Sequence, residues 1–224
     1  MSSMPEVIVV IGATGTIGRA VVDELRSRGI AVRALTRDAA RAARVLGESA
    51  DVDIVAGDVT NPDGLRPALE GAGGVILTHG GDSDPERVYV GAVRALVQAA
   101  GDRRLPVALM SSINVEDVAP GPYAALLSAK KRGEDVLRGS GLPYTVVRPG
   151  WFGATDAGDN RVVLRQGDRV AHGGVRVNHV AQVLVEALLS RSAKGRTVEV
   201  FSGPGDPVAD WEAAFATARA DSQE

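Results

Sequence analysis

The sequence predicts an α/β fold, a doubly wound parallel sheet with helices on both faces, and three observations carry that expectation. Short apolar runs alternate with helically spaced stretches about six times within the first 150 residues, the rhythm of β–α units that build a parallel sheet. Glycine is abundant, 27 of 224 residues, while aromatics make up only 4%, a composition that lets helices pack closely on a sheet buried on both sides. The first apolar run also ends in a glycine-rich loop that opens directly into a helix.

Each element follows from its local pattern. Val7–Ile11 is an unbroken aliphatic run, as expected of a strand covered on both faces. Ile17, Ala20, Val21 and Leu25 fall at helical spacing in the stretch 17–28, and Gly29 is a natural stop. The second strand spans 31–36 and an Ala/Arg-rich helix 39–46; the third strand spans 52–56. Asn61-Pro62 starts a helix running to Glu70, with Asn as cap and Pro at the first position. Residues 73–78 read as the fourth strand and 85–100 as a long helix. The fifth strand is 107–111, the helix after it 123–138, and the sixth strand 144–148, ending at Pro149-Gly150. Beyond Gly150 the rhythm loosens. Residues 161–172 suggest a small hairpin around Gln166-Gly167-Asp168, 180–189 a helix, 198–201 a last strand and 211–218 a short closing helix.

Size and composition exclude several classes of function. A chain of 224 residues fits a single domain, with residues 150–224 as a small elaboration on the substrate side. The net charge of −3 leaves no electrostatic footprint for nucleic acid. Without cysteine there are no disulfides, thiolate metal sites or cysteine nucleophiles, and His79, His172 and His179 are too far apart for a local metal motif. No stretch reaches the roughly 18 apolar residues of a membrane span, and the opening residues carry no basic export signal. The expectation is a cytoplasmic protein, monomer or homodimer, whose partner is a small molecule rather than a membrane or a nucleic acid.

Gly12-Ala13-Thr14-Gly15-Thr16-Ile17-Gly18 is the loop that matters most. Glycines at this spacing between a buried strand and a helix allow a tight turn and a close backbone approach to a pyrophosphate. The helix N-terminus then supplies N–H groups and a partial positive charge. Nucleotide binding is the expectation, through Gly12, Thr14, Gly15, Thr16, Ile17 and Gly18. The second strand ends Leu35-Thr36-Arg37, with no carboxylate at Leu35 or Thr36 to hold an adenosine ribose hydroxyl. A hydroxyl and a guanidinium there favour a 2′-phosphate, hence NADP over NAD.

The motifs Gly12–Gly18, Arg33-Ala34-Leu35-Thr36-Arg37-Asp38 and Gly57-Asp58-Val59 resemble the atypical short-chain dehydrogenase/reductases of the NmrA-like, NAD(P)-binding group. So do Lys130 with Glu134 and Leu137, the stretch Ser140–Thr145, and Arg148-Pro149-Gly150. The resemblance covers about residues 5–200 and implies a Rossmann-type fold. It also implies that Asp58 and Val59 cap the adenine and that Thr78 and His79 pass beside the nicotinamide ribose. Relatives include reductases of flavins and biliverdin, distant sugar-nucleotide epimerases, and redox-sensing regulators without turnover. The cofactor is thus better specified than the reaction.

Catalytic members of the wider superfamily use Ser, Tyr and Lys, the last two four residues apart on one helix. Ser111 and Ser112 end the fifth strand; Ser112 matches the family's catalytic position better, which leaves Ser111 on the cofactor side. Lys130 shares an otherwise apolar helix face with Leu126, Gly133 and Leu137, so it needs a polar partner such as a cofactor ribose. Lys131, Glu134 and Arg138 read as a neighbouring, solvated face. The phenol is missing: residues 126 and 127 are both Leu, and Tyr123 lies seven before Lys130, where the helix only begins. His79 is a further candidate proton donor, weighed against a loop histidine held by backbone. Pro149, a cofactor-binding candidate, leads from the sixth strand toward Trp151 and Phe152, a candidate flat wall for a planar substrate or the nicotinamide. Asn178 and His179 share the helix-capping job for which relatives use Asp. The leading reading is NADPH-dependent hydride transfer to a flavin, quinone or enone; the alternatives are a non-catalytic NADP-binding sensor and, behind it, a sugar-nucleotide epimerase or dehydratase.

Overall fold

Ile8, Val9, Val10 and Ile11 are all buried, and they divide by parity between two layers of core. Ile8 and Val10 join Val21, Leu25 and Leu184 in one cluster, while Val9 and Ile11 join Leu65, Leu96 and Leu137 in the other. A strand with an aliphatic side chain on every residue is therefore a strand with helices on both sides. This is the arrangement in the computed structural model, which describes residues 7–222 apart from 48, 82, 154 and 171.

The elements in chain order are β1 Val7–Ile11, α1 Thr16–Ser27, β2 Ala31–Thr36, α2 Ala39–Leu46, β3 Val52–Ala56, α3 Pro62–Leu69 and β4 Gly74–Leu77. A π-helical segment, Glu86–Gly91, runs into α4 Ala92–Ala100; then come β5 Val107–Met110, α5 Ala124–Arg138 and β6 Tyr144–Pro149. The remainder is β7 Trp151–Phe152, β8 Arg161–Arg165, β9 Gly174–Val175, α6 Val177–Leu189, β10 Arg196–Gly203 and α7 Trp211–Ala216. The main sheet has the order β3-β2-β1-β4-β5-β6-β10-β8, parallel throughout except for β8 against β10. Strand order reverses between β1 and β4, and in such sheets a crevice opens there, beyond the C-terminal strand ends. Helices α1, α6 and α7 cover one face and α3, α4 and α5 the other. Val21, Val22 and Leu25 anchor α1, each fully buried aliphatic contributing roughly 1.5–3 kcal/mol.

Three expectations are corrected. The 161–172 hairpin does not form: β8 pairs with β10, Arg161 opposite Gly203 and Arg165 opposite Glu199, and has no return strand. The turn after it is diverted because the Asp168 carboxylate accepts the backbone N–H groups of Asn114, Val115 and Glu116 at 2.6–2.9 Å. The chain continues instead to β9, which pairs with β7. The long helix expected from Pro85 opens with π-type turns over Glu86–Gly91, and its Arg87 and Val88 line the crevice. Finally, β10 runs eight residues and α6 begins at Val177, so both elements extend beyond their apolar centres.

Candidate functional site

A cleft of about 370 Å³ lies beyond the C-terminal ends of β1 to β4. Gly12, Thr14 and Gly15 line it from the glycine loop, Thr36 and Arg37 from the end of β2, Asp58 and Val59 from the end of β3, and Thr78 and His79 from the end of β4. The loop closes tightly because Gly12 has φ +86°, and a Cβ there would lie 2.6 Å from the His79 amide nitrogen. Helix α1 carries no side-chain cap and no acidic residue in its first turn, leaving the amides of Thr16, Ile17 and Gly18 for an anion. The Ile17 side chain is buried in the core, so only its backbone can serve the cleft.

The charges in the cleft are sorted by their partners. Asp38 caps α2, accepting from Arg41 N at 2.9 Å, and Asp84 accepts from Arg87 N at 3.1 Å. Asp58 accepts from Thr60 N and Thr60 Oγ1 at 2.9 Å each and pairs with Arg87 Nη2 at 2.8 Å. Those bonds, the Thr60 backbone bond first, hold the Asp58 carboxyl below the usual carboxylate range. The guanidiniums of Arg37 and Arg41 line the same cleft and have no hydrogen-bond or ion-pair partner among the described residues. Two forks are thus open to an incoming phosphate while every neighbouring carboxylate is engaged. The sequence motifs single out Arg37 but give no role to Asp38, Arg41, Asp84 or Arg87. Their signal is positional: each follows the C-terminal end of a strand, the side where this architecture binds.

At the ends of β4 and β5 and on α5 a second group comes together, of which Thr78 and His79 line the cleft and Ser111 and Lys130 do not. Thr78 is buried and donates to Ile11 O at 3.0 Å. His79 Nε2 lies 2.8 Å from Val88 O, which fixes that nitrogen as the donor and leaves Nδ1 buried without a partner among the described residues. Burial pushes the His79 pKa down to about 4. The ring is held by backbone through its contact with Val88 O. Ser111 is buried; its Oγ has no partner among the described residues, while its carbonyl accepts from Lys130 Nζ at 3.1 Å. Lys130 sits 5.3 Å from the centroid of the Tyr89 ring, and burial pulls its pKa down to about 8. Lys131 instead pairs at 2.6 Å with the exposed Asp135. The two lysines therefore occupy the two faces their spacing predicts.

Other candidates stand apart from this group. Ser112 is half-buried and outside the cleft. Pro149 ends β6 and accepts from Ile113 N through its carbonyl. Trp151 and Phe152 form β7, each 51% exposed. Tyr123 is 62% exposed and precedes α5. Neither Asn178 nor His179 caps α6, a correction: the helix starts at Val177 with Arg176 at its N-cap and no side-chain cap bond, and His179 Nδ1 lies 2.8 Å from Ser202 Oγ. Glu134 is a correction: far from lying on a solvated face, it is fully buried and binds Arg148 and Arg138.

Sheet order, glycine loop, uncapped helix and paired open guanidiniums define a Rossmann-type dinucleotide-binding protein. The chain belongs to the NAD(P)H-binding family, whose sequence profile matches residues 12–191. It is similar to a chloroplastic protein of Arabidopsis thaliana, 29% identical over 95% of this chain and 82% of that one. It is also similar to the (4-alkanoyl-5-oxo-2,5-dihydrofuran-3-yl)methyl phosphate reductase of Streptomyces griseus, 33% identical over 88% of this chain and 68% of that one. The fold matches the crystal structure of the oxidoreductase ylbE from Lactococcus lactis with a TM-score of 0.79, at 18% identity over 94% of this chain and 95% of that one. The chain is an NAD(P)H-dependent reductase of this family. No helix among the described residues is long and apolar enough to cross a membrane.

Proposed function

We propose that this reductase prefers NADPH to NADH and reduces a small, planar, conjugated acceptor: an enone, a quinone or a flavin. The observation that carries the cofactor choice is the pair of guanidiniums, Arg37 and Arg41, which have no hydrogen-bond or ion-pair partner among the described residues, beside carboxylates that are engaged. The residues also fit a dinucleotide along the whole crevice. The amides of Thr16 to Gly18 face the pyrophosphate. Near the ends of β4 and β5, His79 Nδ1 and Ser111 Oγ, buried and without a partner among the described residues, are left for ribose or carboxamide groups. When bound, the cofactor supplies a hydride. Lys130 holds the ribose beside the strand ends, while Ser112, Trp151 and Phe152 bound the acceptor side.

The acceptor class follows from the missing phenol. A conjugated acceptor takes hydride at one end of its π-system, and the electron pair moves to an electronegative atom that water can protonate. No side chain has to deliver that proton, and orientation carries the catalysis. The Streptomyces griseus relative bears the name of a reductase whose substrate has a ring C=C conjugated to a carbonyl, which supports the enone as first choice. The test is NADPH oxidation by purified protein offered an acyl-butenolide, a quinone and FMN in turn. Steady consumption with at least one acceptor is expected. Tight NADPH binding with no turnover on any acceptor would favour a cofactor-binding sensor instead.

A further inference from the structure

Arg87 reaches across the cleft in an unusual posture. It projects from the π-helical segment after β4, yet its side chain ends on residues that follow β3. Nη2 donates to Asp58 Oδ2 at 2.8 Å and to Thr60 Oγ1 at 3.2 Å, and Nε donates to the same Oγ1 at 3.3 Å. Thr60 Oγ1 in turn donates to Asp58 Oδ1 at 2.9 Å, closing a ring of hydrogen bonds. One edge of the guanidinium is therefore committed. Its faces are not: the side chain is 61% exposed and lines the cleft together with Val59.

The sheet order says what lies at this place. With the pyrophosphate on α1 and the ribose 2′-position at the end of β2, the base must extend toward β3, the next strand outward. A guanidinium whose edge is used up is poorly placed to fork a phosphate but well placed to stack, because its planar cation is attracted to an aromatic face. Arg37 and Arg41 have the opposite disposition, with edges open. We propose that Arg87 is the adenine-stacking residue of this cleft, held flat by Asp58 and Thr60, and that it contributes to affinity without distinguishing NADP from NAD. This rests on the reading of the cleft as a dinucleotide site.

The division between face and edge can be measured by titrating NADPH, NADH, ADP and reduced nicotinamide mononucleotide against wild type, Arg87→Ala, Arg87→Lys and Arg37→Ala. Arg87→Ala should weaken NADPH, NADH and ADP alike, by about five- to tenfold, and leave the mononucleotide, which has no adenine, unchanged. Arg87→Lys keeps the charge but not the plane and should not rescue the loss. Thr60→Val, which frees the guanidinium to tilt, should reproduce part of it. Arg37→Ala should weaken NADPH alone. A loss in Arg87→Ala confined to NADPH, full rescue by lysine, or no loss at all would overturn the assignment. Wild type that binds neither NADPH nor NADH would overturn the dinucleotide reading, and this inference with it.

Discussion

Lys130 and Lys131 are adjacent in sequence and opposite in circumstance. Lys130 is drawn into the protein, with Ser111 O as its hydrogen-bond acceptor and its pKa depressed to about 8 by burial, whereas Lys131 pairs with exposed Asp135. Lys130→Ala should weaken NADPH binding at least tenfold in a fluorescence titration, against less than twofold for Lys131→Ala. Equal effects would refute the assignment of faces. Because the folded-state pKa lies below the ordinary lysine value of 10.5, the unfolded chain holds more protons between about pH 8 and 10.5. This side chain's contribution to stability therefore rises with pH across that window. Lys130→Met lacks the rise, so the cofactor-free variant should melt above wild type at pH 7 while binding the cofactor worse, a trade of function for stability.

At the scale of the element, α5 is fixed by a charge that its sequence does not advertise. Glu134 stands one turn after Lys130 and looks like part of a polar face with Lys131 and Arg138. In the folded protein it is fully buried, both carboxylate oxygens bonded to Arg148 of β6 and one also to Arg138. Burial is tolerated because every polar atom meets an opposite charge, and Glu116 completes the set from the loop after β5. Glu134→Ala would leave the Arg148 guanidinium buried with only its rim partner. The expected destabilisation is about 3–5 kcal/mol, read from the urea midpoint at unchanged m-value. A loss below about 1 kcal/mol would mean that α5 is held by its apolar contacts alone. Periodicity could not reveal this, because the Arg148 that draws Glu134 inward lies on a strand 14 residues further along the chain.

For the whole molecule, cofactor preference should appear as a difference in thermal stability. A ligand present at 100 times its Kd stabilises the folded state by about 2.7 kcal/mol. That corresponds to roughly 5–10 °C for a domain of this size. NADPH should therefore raise the melting temperature more than the same concentration of NADH. Arg37→Ala should remove most of the difference by lowering the NADPH shift, and Arg37→Asp should reverse it. If wild type shifts more with NADH, the phosphate reading of Arg37 and Arg41 fails. What was legible beforehand follows the range of the interactions involved. Strands β1 to β6 and the glycine loop were readable because each is a contiguous pattern, and so were the faces of α5 at Lys130 and Lys131. The false hairpin at 161–172, the guanidinium of Arg87 crossing to Asp58 and the burial of Glu134 all depend on partners between 14 and 54 residues away.

The Asp168 carboxylate that gathers the amides of Asn114, Val115 and Glu116 has a bearing on how the protein comes into being. The residues lining the cleft beyond β1 to β4 all lie between Ile11 and Val88, on strands and loops that follow one another in the chain. The loop beyond Ser111 and Ser112, by contrast, acquires its anchor only from a residue more than fifty positions later, itself tied through its amide to Glu199 on β10. Contacts of long sequence separation form late, since the intervening chain must first be ordered. The cleft beyond β1 to β4 is thus lined by the early chain, whereas the loop after β5 gains its anchor only when Asp168 and Glu199 of β10 are in place.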